Sequence, residues 1–188
     1  MNSRRVKNAE AIAAVIVESL PLSERMHLLD LGAGTGLLSF FLAQKVGKIT
    51  ALDNSPSMLE VFARKRDEFA CETDQIEGDI MQLDLPQRFD GIVSSMTIHH
   101  IEDIPALLRR LHAMLKPGGF IALADLVQED GSFHSDNTGV YHYGFDTDRL
   151  RAEAEAARFA DVAIRHASTI RKPHRDFEIF LLTGIRRD

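Results

Sequence analysis

The sequence predicts an α/β domain with a doubly wound, mostly parallel seven-stranded sheet whose C-terminal strand runs antiparallel, and three observations carry that expectation. An apolar run, Leu28-Leu29-Asp30-Leu31, ends in the glycine-spaced turn Gly32-Ala33-Gly34-Thr35-Gly36 and passes at once into the helical segment Leu37 to Ala43. Short strand-like segments then alternate with helix-forming ones, the order that builds a parallel sheet covered on both faces. The last two strand-like segments, Asp161 to Thr169 and Asp176 to Ile185, are separated only by a short polar stretch around Arg171-Lys172-Pro173-His174, which makes them a hairpin.

Taken in order, Asn8 to Leu20 has helix-forming composition with an apolar face, and Pro21 ends it, so residues 1–21 form a leading helical segment of a single domain spanning 1–188. The apolar strand that follows closes on Asp30, and Gly32, Gly34 and Gly36 supply positive φ and a surface without Cβ atoms. Something approaches that backbone closely, and the turn should offer free N–H groups at a helix N-terminus. A turn that is glycine-rich for structural reasons alone is the competing explanation. Lys48 to Asp53 is the second strand, ended by Asn54-Ser55-Pro56 and followed by a helix from Ser57 to Phe69. Asp53 stands at the carboxyl edge of the sheet about 20 residues beyond the glycine turn, where an acidic side chain can accept both hydroxyl protons of a ribose. It could instead cap the next helix, although Ser55 is better placed to do so.

Thr73 to Glu77 forms the third strand and leads into Gly78-Asp79-Ile80, where a carboxylate and the following backbone N–H could together read an adenine ring. Arg88 to Ser95 forms the fourth, with the small Ser94 and Ser95 leaving space at its carboxyl end. The loop Met96 to Asp103 enters a helix with Pro105 in its first turn and an apolar stripe of Leu107, Leu108, Leu111 and Leu115. Lys116-Pro117-Gly118-Gly119 stops that helix before the fifth strand, Phe120 to Asp125, and Asp146 to Ala157 is the last helix.

The glycine spacing G-x-G-x-G departs from the dinucleotide fingerprint G-x-G-x-x-G, because Leu37 stands where the third dinucleotide glycine would be. The string Leu29-Asp30-Leu31-Gly32-Ala33-Gly34-Thr35-Gly36 instead resembles motif I of the class I S-adenosylmethionine (SAM)-dependent methyltransferases, and Leu115-Lys116-Pro117-Gly118-Gly119 resembles a stretch typical of their small-molecule members. The resemblance covers Leu28 to Asp125 with its parts in family order. It implies a Rossmann-like methyltransferase fold, SAM as cofactor, and a leading helix that packs over the cofactor or acceptor pocket. The expected cofactor-binding residues are Asp30, Gly32, Ala33, Gly34, Gly36, Asp53, Asn54, Met58, Gly78, Asp79, Ile80 and Ser94. Asp30 organises the methionine end, Asp53 the ribose and Asp79 the adenine. One departure is Arg158-Phe159, where the family often has Gly-Phe, so the left-handed helix exit must be built differently here.

Composition narrows the function. A net charge of −6 and a pI near 5.7 argue against general adhesion to nucleic-acid backbones, which needs a basic surface. Arg4, Arg5 and Lys7 at one end and Arg186-Arg187 at the other read as solvated termini without a role. Cys71 is the single cysteine, which excludes an internal disulfide and agrees with a reducing cytoplasm. The apolar stretch Ala11 to Leu20 is interrupted by Glu18 and too short to span a bilayer, so no membrane is expected.

Methyl transfer is mostly positioning, and a base is needed only when the acceptor must lose a proton. His99 and His100, on the loop after the fourth strand, are the first candidates, and His142 is the third. Phe133-His134 and Tyr141-His142-Tyr143-Gly144-Phe145 form an aromatic and histidine-rich connection suited to an acceptor pocket, or simply to anchoring that loop. His99, His100, His134 and His142 lack a compact ligand motif, so no metal is assigned. Ser94-Ser95-Met96-Thr97 replaces any Asn-Pro-Pro-Tyr type sequence, which disfavours amino-methylation of bases or glutamine side chains. The expected acceptor is therefore a small molecule. A SAM-binding protein without methyl transfer and a nicotinamide-dependent oxidoreductase are the alternatives.

Overall fold

The computed structural model describes residues 3–188. Its strands are β1 (His27–Leu31), β2 (Lys48–Asp53), β3 (Glu72–Glu77), β4 (Phe89–Ser95), β5 (Leu115–Leu126), β6 (Ala160–Arg171) and β7 (Asp176–Ile185). They form one sheet in the order β3-β2-β1-β4-β5-β7-β6, parallel except that β7 runs antiparallel to both β5 and β6. The order reverses between β1 and β4, so the carboxyl ends of β1, β2 and β4 open a crevice where this type of sheet takes its ligands.

The central strands are buried on both faces, and neighbouring residues show it. Leu28 belongs to the core beneath α1 (Ser3–Ser19), α2 (Leu37–Leu42) and α3 (Pro56–Arg64), where Ile12, Ile16, Leu42 and Phe62 pack. Leu29, one residue on, faces the opposite core beneath α4 (Ile104–Met114) and α5 (Thr147–Ala156), with Leu107, Leu111 and Leu150. Ser55 caps α3 by accepting from the Met58 N–H at 3.3 Å, and Asp103 and Asp146 cap α4 and α5 in the same way.

Several expected boundaries shift. α1 begins at Ser3 rather than Asn8, and residues 1 and 2 of the leading segment lie outside the described residues. α3 stops at Arg64 and gives way to a short 3-10 turn at Arg66–Glu68. The Lys116–Gly119 stretch is part of β5, which begins at Leu115: the register jumps from Phe89↔Leu115 to Gly91↔Phe120, so the glycines form an irregularity that lets β5 rejoin the ladder. At the departure from the family pattern, Arg158 itself adopts φ 77 and makes the left-handed exit from α5. No helix among the described residues is long and apolar enough to cross a membrane.

Candidate active site

A cleft of about 700 Å³ opens at the carboxyl edge of the sheet, and its walls come from the glycine turn, α1, the exit of β4, the β5–α5 connection and the β6–β7 turn. One end is built around two carboxylates. Asp30, at 2% exposure, accepts from the Ser39 hydroxyl at 2.6 Å, and burial pushes its pKa up from 3.8 to about 7, opposed by the Ser39 hydrogen bond and reinforced by the charge of Asp53. Asp53 accepts from the backbone N–H of Gly34 at 2.8 Å and of Ser55 at 2.9 Å. Those two bonds use half the capacity of a carboxylate, which can accept about four, and they tie the glycine turn to the end of β2.

The turn is therefore less free than its sequence implied. Gly32 and Ala33 both donate to the Leu52 carbonyl oxygen, and Gly36 donates to Ala33. The glycines also differ in purpose. A Cβ on Gly32 (φ 68) would lie 2.2 Å from Thr97 Oγ1, so that position is demanded by packing. On Gly34 (φ 57) a Cβ would meet nothing within 4 Å, although the residue lines the cleft. Here the missing side chain leaves a cradle for something that is not protein.

The other end is built around His99, which is 1% exposed although imidazole is polar on two sides. Its Nδ1 lies 2.9 Å from both carboxylate oxygens of Asp125, and its backbone N–H donates to the same carboxylate at 3.0 Å. Asp125, at 0% exposure, also accepts from the Leu126 N–H at 2.7 Å. An ionised carboxylate only accepts, so Nδ1 carries a hydrogen, and in the neutral ring the lone pair is on Nε2. That Nε2 is buried and has no partner. His134, whose ring centroid is 4.9 Å from that of His99, likewise has a buried Nε2 without a partner; burial, and then the charges of His99 and His100, push its pKa down. His100 donates through Nδ1–H to the Gly139 carbonyl oxygen at 2.8 Å, and the residue is exposed. Between the two ends, Met96 leaves β4 at φ 59, an unusual conformation for a side chain of its size.

Most of the expected residues converge, and some do not. Asp30, Gly32, Ala33, Gly34, Asp53, Met58, His99 and His100 all line the cleft. Gly36 caps α2 with φ 94, against Phe62 and Phe69. Ser94 is fully buried and donates to the Leu31 carbonyl oxygen at 2.9 Å; it is Ser95 that reaches the cleft wall. Asn54, Gly78, Asp79 and Ile80 follow β2 and β3 beside the cleft rather than on its walls, with Asp79 accepting from the Met81 N–H at 2.8 Å and the Ile80 side chain in the core. His142 is the clear correction. Its Nε2 is held 2.9 Å from the Ile101 carbonyl oxygen, and it lines a separate pocket of about 390 Å³. The cause is the β5–α5 connection, whose ends pair with each other through Gln128 to Phe145 and Glu129 to Tyr143, turning His142 away. Asp125 was missed, because in the sequence it is only the last polar residue of an apolar strand. Among the described residues no group of three or more His, Cys, Asp or Glu could hold a metal ion.

Comparison with known proteins bears on the family and the fold. Residues 28–119 match the family model described as a methyltransferase domain. An uncharacterized methyltransferase of Schizosaccharomyces pombe is 30% identical over 135 residues, covering 63% of this chain and 48% of its own. An uncharacterized methyltransferase of Mycobacterium tuberculosis is 35% identical over 116 residues, covering 61% of this chain and 57% of its own. The chain thus spans about half the length of these curated relatives. Among solved structures, the Haemonchus contortus phosphoethanolamine N-methyltransferase 2 in complex with S-adenosyl-L-methionine superposes with a TM-score of 0.77 at 16% identity, over 94% of this chain and 52% of that one, which shows the shared fold.

Proposed function

We propose that this chain, a member of the class I SAM-dependent methyltransferases, transfers a methyl group from SAM to a small-molecule acceptor with His99 as general base. The observation that carries this reading is one cleft that joins a glycine cradle bearing two carboxylates to a buried imidazole with a partnerless Nε2.

The residues present fit the cofactor. Asp30 is a buried carboxylate with no ion-pair partner among the described residues, suited to the methionine ammonium; Asp53 retains acceptor capacity for the ribose hydroxyls; and Gly34 leaves room for close approach. Asp79 and the Ile80 N–H, just beyond β3, are taken as the adenine contacts on the family resemblance. When bound, SAM supplies an electrophilic methyl carbon on a positively charged sulfur.

The remaining work belongs to the protein. An acceptor hydroxyl or ammonium must give up a proton, and His99 Nε2 is the base suited to take it, leaving an imidazolium beside the Asp125 carboxylate. Asp125 is a positioning residue: it fixes the tautomer, holds the ring and offsets the new charge without touching the acceptor. The acidic overall charge supports a small acceptor over a nucleic acid, and the single Cys71 supports a cytoplasmic setting for a domain taken as residues 1–188.

Calorimetric titration of the purified, ligand-free protein with SAM, S-adenosylhomocysteine and NAD tests the cofactor assignment. Binding of the two adenosyl compounds without NAD is the expected result; preference for NAD, or no binding to any of the three by folded protein, overturns it. Release of S-adenosylhomocysteine with an acceptor panel then separates a transferase from a protein that only binds SAM.

A further inference from the structure

Two segments from opposite ends of the chain bring cations to the His99 end of the cleft. Arg4 and Arg5 come from the first turns of α1, and Lys172 from the turn between β6 and β7; all three line the cleft with His100 and His134. Lys172 sits against the Phe133 wall, its ammonium 4.0 Å above that ring and donating to the Phe133 carbonyl oxygen, which uses one of its three hydrogens. Among the described residues neither Arg5 nor Lys172 has a carboxylate partner, in a chain where 28 acidic residues outnumber 22 basic ones. The carboxylate acting on Lys172 is Glu129, whose Oε1 accepts from the N–H groups of Gly131 and Phe133 and whose Oε2 is buried without a hydrogen-bond partner among the described residues. Burial, followed by the charge of Arg4, pushes the Lys172 pKa down against the pull of Glu129. Arg5 is exposed and Lys172 half-buried, and the one carboxylate shown acting on Lys172 does not balance the cations on this wall, so an anion entering the cleft is favoured beside them.

We propose that the methyl acceptor carries an anionic oxyacid group, a carboxylate or a phosphate, which Lys172 and Arg5 bind while the reacting atom lies toward His99. The assignment of this anion to an acceptor rests on the methyltransferase reading above; the anion site itself does not. Phe133, Ile170 and Met96 supply the apolar wall for the body of such a molecule, and Asn8, whose Oδ1 is buried without a partner among the described residues, can accept a hydrogen bond from a donor on that body. Arg5 thereby acquires a function that a solvated chain end does not have.

The test uses the full chain saturated with S-adenosylhomocysteine and titrated with benzoate, benzamide and inorganic phosphate, followed calorimetrically and through the His134 ring resonances. Benzoate or phosphate should bind about tenfold more tightly than the uncharged benzamide and shift the His134 signals. Lys172→Gln and Arg5→Gln should each weaken that anion binding about fivefold and leave S-adenosylhomocysteine affinity and melting temperature unchanged. Equal binding of benzoate and benzamide, no anion binding up to about 10 mM, or variants that bind the anions as the parent does would overturn the proposal. Anion binding by protein that fails to take S-adenosylhomocysteine would overturn the methyltransferase reading and leave the anion site standing.

Discussion

The glycine-turn end of the cleft is drawn from one stretch of chain, Asp30 to Met58, whereas the end proposed to hold the acceptor joins Arg5, His99, Asp125, His134 and Lys172 from five separate segments. The first end is held by N–H groups of the glycine turn reaching the end of the next strand in sequence, Gly34 donating to the Asp53 carboxylate and Gly32 to the Leu52 carbonyl oxygen. The second exists only once β4 and β5 pair and bring Asp125 beneath His99, 26 residues away. A strand–turn–helix unit can be kept while the other end is rebuilt, which is the division expected if the first end holds the cofactor and the second the acceptor, as proposed.

The contrast is sharpest in substitutions that should strike one end and spare the other. His99→Gln removes the proposed base and should lower turnover by about 10²–10⁴-fold with SAM affinity unchanged; steady-state kinetics beside a SAM titration checks this, and a loss confined to SAM binding would remove the distinction between the ends. Asp125→Asn should lower kcat and alter its pH profile while leaving KM for SAM alone, because it acts through His99.

Asp30 comes next. Its folded pKa of about 7 lies above the ordinary 3.8, so between these values the folded chain holds a proton that the unfolded chain has released. Stability of the ligand-free protein from this group is therefore present at low pH and lost as pH rises toward 7, by about 4 kcal/mol at most. Asp30→Asn should flatten that part of the pH–stability curve in denaturant titrations. Pairing with the cofactor ammonium favours the carboxylate, so SAM affinity should rise with pH up to about 7 and level off, and the same substitution should abolish that rise.

Smaller effects fall on the turn. Asp53→Ala should weaken SAM binding by roughly 1.5–3 kcal/mol, and it should also cost some stability because two backbone N–H groups lose their acceptor. Gly34→Ala should weaken SAM by about 1 kcal/mol with a modest change in melting temperature, the strain of φ 57 being its main structural penalty. Gly32→Ala is the control: its collision with Thr97 should lower the melting temperature far more, whatever happens to SAM.

The same division explains what the sequence could disclose. The succession of strands and helices, the placement of Asp30 and Asp53 at the carboxyl edge and the C-terminal hairpin were legible because each depends on residues close in sequence or on a regular alternation. The Asp125–His99 pair was not, because a carboxylate closing an apolar strand looks identical whether it meets solvent or a histidine. His142 misled for the opposite reason: an aromatic cluster marks a packed loop without saying which side faces the cleft. Arg5 looked like a frayed end because nothing local reveals that α1 continues to Ser3 beside the β6–β7 turn.

The backbone around His99 carries one more consequence. The amides of Tyr141 and His142 donate to the His99 carbonyl oxygen at 3.0 and 3.3 Å, so the β5–α5 connection and the proposed base share an anchor. Deuterium uptake at those two amides therefore becomes a gauge of how firmly the base is seated, readable before any acceptor is known and without a single turnover.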